Sequence, residues 1–314
     1  MKEKNRKTKM KTNIKRMRKD WQLYLLLLLP TIYLIVFTYG PMYGLQIAFR
    51  DYRPLAGITQ SEWVGWKWFE KFLTNYEFMA IFKNTVLISL YSMATFPLAV
   101  IFALILNSIK NRKLVKISQT VSYIPHFISL TVLVSILNMV FSPVNGVYGN
   151  LYSLFGGIGV PEAFTAKAPA FRHLYVWSGV WQNLGWNSII YFSALSGVST
   201  ELHEAAQIDG ATRLQRIRYI DLPSIMPTIC IMFILRCSNL ISVGFEKVYL
   251  MQTSLNQSVS EVISTYVYKS GMDSFRNYSY GTAVGLFNTL INLAIVLLVN
   301  YITKKASDGE VSLF

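Results

Sequence analysis

Charge is scarce in this 314-residue chain: Asp, Glu, Lys and Arg together make up 15% of it, against about 25% in soluble domains. Cysteine is nearly absent, with only Cys230 and Cys237. They stand seven apart on one expected helix, about 10 Å along its axis, which is beyond disulfide reach. Histidine is limited to His126, His173 and His203, in three separate regions and with no metal-ligand spacing. No Gly-x-x-x-x-Gly-Lys-Ser/Thr pattern occurs, nor a nucleophile elbow, nor a paired-carboxylate site, so the chain carries no recognisable machinery for nucleotide hydrolysis or other catalysis. The apolar content of 53% excludes disorder, and it argues against a nucleic-acid binder despite a formal net charge of +14.

What is abundant is uninterrupted apolar sequence. A helix needs about 20 such residues to cross a hydrocarbon core about 30 Å thick. Six segments qualify: 21–47, 84–107, 120–141, 174–195, 222–243 and 281–302. The charge-free core of the first, 21–37, and four of the others hold no Lys, Arg, Asp or Glu, while 222–243 carries Arg236. Strand-like alternation is missing from these runs, which argues against a membrane β-barrel. The expected fold class is an all-α membrane protein with six transmembrane helices. A basic segment at 1–20 precedes a membrane domain at 21–303, and a tail follows at 304–314.

The net charge is distributed by position. Ten Lys and Arg precede the first span. Lys110, Arg112, Lys113 and Lys116 follow the second, Arg213, Arg216 and Arg218 follow the fourth, and Lys304 and Lys305 close the last. The intervening loops mix signs, as in Arg50, Asp51, Glu62, Lys67 and Glu70. Positive loops stay in the cytoplasm, so both termini are expected there, with a lesser pull toward anionic membrane lipid. A secretory signal also starts basic and turns apolar. Here the run is long, and Tyr39-Gly40-Pro41-Met42-Tyr43 stands where a small-x-small cleavage site belongs, which favours an uncleaved first helix.

Between the fourth and fifth spans lies a polar island, 199–223. Thr200 offers an N-cap, with Glu201 and Glu204 in the first turn, and Gly210 offers a left-handed stop. Leu214, Ile217 and Ile220 then recur at helical spacing, and Pro223 is expected to break the helix again. Ala205 and Ala206 leave a small, flat surface flanked by Glu204 and Asp209. A plain interfacial linker is the competing reading, but a helix that only lay on lipid would favour bulky apolar residues there.

The pattern Glu-Ala-Ala, three residues, Gly, nine residues, Ile, one residue, Leu-Pro runs from Glu204 to Pro223 and resembles the EAA motif of binding-protein-dependent ABC importer permeases. Asn84-Thr85, Tyr123-Ile124-Pro125-His126-Phe127-Ile128-Ser129 and Trp181-Gln182-Asn183-Leu184-Gly185-Trp186-Asn187 are similar to the carbohydrate-uptake, maltose-type branch, close to Gram-positive oligosaccharide permeases. The likeness covers about residues 20–303. It implies the type I ABC importer transmembrane fold with a cytoplasmic coupling helix. In that arrangement Glu204, Ala205, Ala206, Asp209, Gly210, Ile220, Leu222 and Pro223 engage a separate ATPase. The resemblance further implies a second homologous permease in a heterodimer, two ATPase subunits holding ATP and Mg, and an extracellular solute-binding lipoprotein, all at a bacterial cell membrane. This chain would hold no cofactor of its own. The implied cargo is an oligosaccharide. Another solute on the same machinery is one competing reading. A secondary transporter is the other, and it would usually show carboxylates inside its spans, which are missing here.

Polar residues inside the spans are costly and mark candidate functional positions. Arg236, expected mid-way along the fifth span with Asn239 and Ser242 on one face, either faces a hydrated path or pairs with the partner permease. Gly244 and Lys247 follow in the stretch that, by resemblance, lines the sugar path, although the family's usual asparagines are missing there. Trp181, Gln182, Asn183, Trp186 and Asn187 combine aromatic faces with amides, which suits sugar rings and hydroxyls; an interfacial aromatic belt is the alternative for the tryptophans. Gly281, Gly285, Asn288 and Asn292 share one face of the sixth span, where packing competes with a pathway role. His126, after Pro125, reads as a satisfied helix-end residue.

Overall fold

A computed structural model describes residues 19–273 and 277–306. Most of the basic leader and part of the tail therefore lie outside the described residues. Trp21–Phe49 forms one helical run of 29 residues whose apolar stretch is wholly exposed. Only its end, Tyr43–Phe49, packs closely on Tyr278–Ala306. So long an exposed run of Leu, Ile and Phe is stable only against lipid or another subunit. A two-stranded antiparallel hairpin follows, pairing Arg50 with Trp63 and Asp51 with Glu62. The short helix Lys67–Leu73 then buries Trp68, Phe69 and Phe72 against Ala48, Tyr280, Ala283 and Val284. This aromatic cluster clamps the first and last long helices together.

Phe78–Ser108 is the second long run, turning at Thr95 and Phe96 before Pro97 opens its second half, a position that needs no proline N–H. The third expected span, 120–141, is not a straight crossing. Arg112–Phe127 and Leu130–Val140 meet at 101°, because Pro125 cannot donate to the ladder and Ser129 starts a new helix, its Oγ accepting from the Val132 N–H at 3.3 Å.

Ala168–Ser196 is the hub. Its 29 residues pack on Pro97–Ser108, Arg112–Tyr123, Leu222–Cys237 and Phe245–Met251. At 1.5 Å per residue it is long enough to span, but its Gln, Asn and Trp residues lower its apolar character. Among the described residues, four helices are long and apolar enough to cross a membrane, or five if the bent pair is one span. The six expected crossings thus correspond to four apolar helices, one bent pair and one amide-rich helix.

The fifth segment also departs from expectation. Arg213–Cys237 is continuous over 25 residues, and Pro223 does not break it. A π turn over Ile217–Asp221 ends with one residue, Leu222, left before the proline, and that wider turn accommodates the absent N–H and the bulky ring. The helix stops at Cys237, so Arg236 stands in its last turn rather than mid-span. Both cysteines are free.

In the last helix, Tyr278–Ala306, Gly281 allows close backbone approach: a Cβ there would lie 2.9 Å from Gly271 Cα. Asn292 is buried; its Oδ1 accepts from the Ile241 N–H at 2.9 Å and its Nδ2 donates to Ser242 Oγ at 3.0 Å, tying the segment after Cys237 to this helix. Asn292→Leu strands a buried N–H, which costs about 1–3 kcal/mol. Thermal unfolding in detergent is expected at lower temperature; an unchanged midpoint would contradict the tether.

Candidate transport pathway and coupling loop

The 199–223 loop is a rigid corner. Ser199, not Thr200, caps its first helix, accepting from the Glu201 N–H at 3.2 Å. Glu201 alone is acidic in the first turn of Thr200–Ile208, and Glu204 comes later. Gly210 takes φ +79°, as a left-handed stop requires. The Ala211 N–H then reaches back to the Ala206 carbonyl at 2.8 Å, and the Gly210 N–H to Gln207 at 3.1 Å, closing the helix end. Thr212 and Gln215 form a reciprocal capping box for the next helix. His203 Nε2 sits 3.2 Å from Asp221 Oδ1, with Asp221 buried, so the loop helix is pinned to the foot of Arg213–Cys237. Glu204, Ala205, Asp209, Gly210 and Pro223 are exposed, and Ala206, Ile220 and Leu222 half-buried. Leu202 and Ile208, overlooked in the sequence, project from the same loop at 54% and 87% exposure, as does Leu214 at 75%.

At the far end of that helix lies a cavity of about 560 Å³, within the range of small-ligand sites. Gln182, Asn183, Asn187, Arg236, Asn239, Gly244 and Lys247 line it; Trp181, Trp186, Asn288 and Asn292 do not. Tyr175, Gly179 and Tyr191 also line it and were missed. The available signal was spacing, since 175, 179, 183, 187 and 191 recur every four residues and wind along one helix face.

Several of the amides are engaged by protein. Gln182 Nε2 donates to the Ile128 carbonyl at 2.7 Å. Asn183 Oδ1 pairs with His126 Nδ1 at 2.9 Å, while its Nδ2 donates to the Gly179 carbonyl at 3.1 Å. His126 stacks on Trp186 at 4.3 Å and 6°. Gly185 makes this contact possible, since a Cβ there would collide with the Ser122 backbone. The 123–129 and 181–187 segments therefore brace each other at the break over Ile128 and Ser129. Asn187 is exposed, and Asn239 Nδ2 donates to neighbouring Ser238 Oγ at 3.1 Å.

Lys247 is 7% exposed. Its Nζ donates to the Tyr175 carbonyl at 2.8 Å and lies 4.8 Å from the Tyr175 ring centroid. Burial pushes the ammonium down to about 8, because a desolvated cation is disfavoured. Arg236 is exposed toward the cavity.

Residues 95–308 match the family model described as "Binding-protein-dependent transport system inner membrane component". The chain is 40% identical over 290 residues to Protein LplB of Bacillus subtilis (strain 168), covering 92% of this chain and 90% of that one. It is 38% identical over 287 residues to the polygalacturonan/rhamnogalacturonan transport system permease protein YteP of the same organism, covering 91% and 88%. Among solved structures, a chain of a bacterial ABC transporter involved in the import of the acidic polysaccharide alginate superposes with a TM-score of 0.84 at 34% identity, covering 93% of this chain and 98% of that one. A chain of the alginate ABC transporter in complex with an alginate pentasaccharide-bound periplasmic protein gives 0.85 at 34%, covering 95% and 99%. The fold is that of a type I ABC importer permease, a transport subunit and not itself an enzyme. The chain belongs to the family of binding-protein-dependent transport system inner membrane components.

Proposed function

We propose that this chain forms, together with a second homologous permease, the pathway by which an oligosaccharide handed over by an extracellular binding protein enters the cell. Separate ATPase subunits, which hold ATP and Mg, drive it through the 199–223 loop, with both termini in the cytoplasm. One observation carries the reading: the helix that starts at the capped corner of the loop is the same helix that ends in the cavity wall. From Arg213 to Arg236 it is unbroken, a span of about 35 Å at 1.5 Å per residue. Displacement of Thr200–Ile208 therefore moves Met232, Leu235 and Arg236, all of which line the cavity.

The docking face has suitable chemistry. Exposed Leu202 and Ile208 supply apolar area beside the small surface of Ala205, with Glu204 and Asp209 at its margin. Carbohydrate as cargo is supported by the named cargoes of YteP and the alginate transporter. The exposed amides of Asn187 and Asn239 and the half-buried Tyr175 ring suit hydroxyls and sugar faces. Closure of the ATPases on ATP would swing the lever and change which side the cavity faces.

The test is uptake of labelled oligosaccharide by proteoliposomes containing this chain, its sister permease and the ATPase. Transport is expected only with MgATP inside and loaded binding protein outside. Transport driven by an ion gradient without the ATPase would overturn the reading.

A further inference from the structure

We infer that the pathway is selective for an acidic oligosaccharide, one whose sugar units carry carboxylates; the inference rests on the oligosaccharide reading above. The residues lining the cavity include Arg236 and Lys247 and neither Asp nor Glu. Neither cation is neutralised by a described residue. The Arg236 guanidinium makes no hydrogen bond or ion pair with any described residue, although it lies within electrostatic range of Tyr175. Among the described residues, Lys247 is held by neutral groups, the carbonyl and ring of Tyr175. Cations inside a membrane protein are costly and are normally paired with an anion or a carbonyl. The Tyr175 carbonyl accepts from Lys247 but brings no negative charge, so with neither Asp nor Glu in the wall the counter-charge is left to what passes through.

The surroundings suit a uronate. A guanidinium presents a planar fork that matches a carboxylate in bidentate fashion, and an ammonium adds a point charge on an adjacent element, Phe245–Met251. Gly179 keeps the ammonium uncrowded, since a Cβ there would come within 3.2 Å of Lys247 Nζ. Asn187 and Asn239 remain for hydroxyls.

The experiment uses the assembled transporter in proteoliposomes with its binding protein, and two probes: galacturonate oligomers and their methyl-esterified, uncharged counterparts. Wild-type protein is expected to import the charged oligomer. Arg236→Gln and Lys247→Gln are each expected to lower that uptake about tenfold or more, as loss of a charge-assisted contact does, while Arg236→Lys retains part of it. Uptake of the uncharged oligomer alone by wild type would overturn the inference. So would wild-type rates for the charged oligomer in both glutamine variants. Loss of assembly with the sister permease in those variants would also overturn it, by making the cations an intersubunit contact. If no oligosaccharide of either kind moves under ATP, the oligosaccharide reading itself fails, and that result is distinguishable because the uncharged probe fails as well.

Discussion

Gly210→Val is expected to reduce ATP-driven uptake to background while the protein still inserts and assembles with its sister permease. The position has open space around it, so bulk is not the obstacle. The obstacle is φ +79°, which a β-branched residue adopts only at a cost of about 1–3 kcal/mol. The chain escapes that strain by re-angling the corner between Thr200–Ile208 and Arg213–Cys237, which breaks the lever at its elbow. Gly210→Asn, which tolerates the left-handed region, should retain most transport. Glu204→Lys should uncouple without disturbing the corner. Full uptake by Gly210→Val, measured in proteoliposomes, would contradict the lever.

Gly185→Leu is expected to be the most damaging single change in the membrane region. Even a Cβ at this position would strike the Ser122 backbone, and a leucine adds three more carbons. Ala168–Ser196 must then move off Arg112–Tyr123. The Gln182 bond to Ile128, the Asn183 bond to His126 and the His126–Trp186 stack are lost together. Overpacking alone costs about 1–3 kcal/mol, and each stranded buried polar group adds to it. Thermal unfolding in detergent should fall well below wild type and uptake should drop in parallel. A variant that melts and transports normally would show that the two segments do not brace each other.

Much of the fold was legible in the sequence because apolar length is a strong signal. The runs beginning at Trp21, Asn84 and Gly281 fall within helices at or near the expected places, and the Glu204–Pro223 pattern marked the loop correctly as two helices around Gly210. The errors share a cause. Pro125 and Pro223 look alike in a sequence, yet one breaks its helix and the other is absorbed by a π turn, and only backbone geometry distinguishes them. Arg236 looked central because the apolar run continues to Val243, whereas the helix ends at Cys237. In the cavity, Asn183, Asn187 and Arg236 announced themselves as polar groups in apolar surroundings, whereas Lys247 entered only through the family resemblance of its stretch. Tyr175 and Gly179 did not, since an aromatic and a glycine are unremarkable in a membrane helix until the four-residue stripe through Asn183 is followed outward. Trp186 and Asn292 belong to bracing contacts that depend on partners 50 or more residues away, which no local pattern encodes.

Contact between the Thr200–Ile208 helix and an ATPase is the claim on which the account turns, and site-directed cross-linking tests it directly. With Cys230 and Cys237 replaced by serine, Ala205→Cys supplies a single exposed thiol on the loop. The account predicts that, when an added oxidant such as copper phenanthroline takes up the two electrons, a cysteine in the docking surface of the ATPase forms a disulfide with it on the cytoplasmic face, that uptake stops, and that reduction by dithiothreitol restores transport. Labelling of this thiol only from outside the cell, or ATP-driven uptake that is unchanged with no link formed, would contradict it.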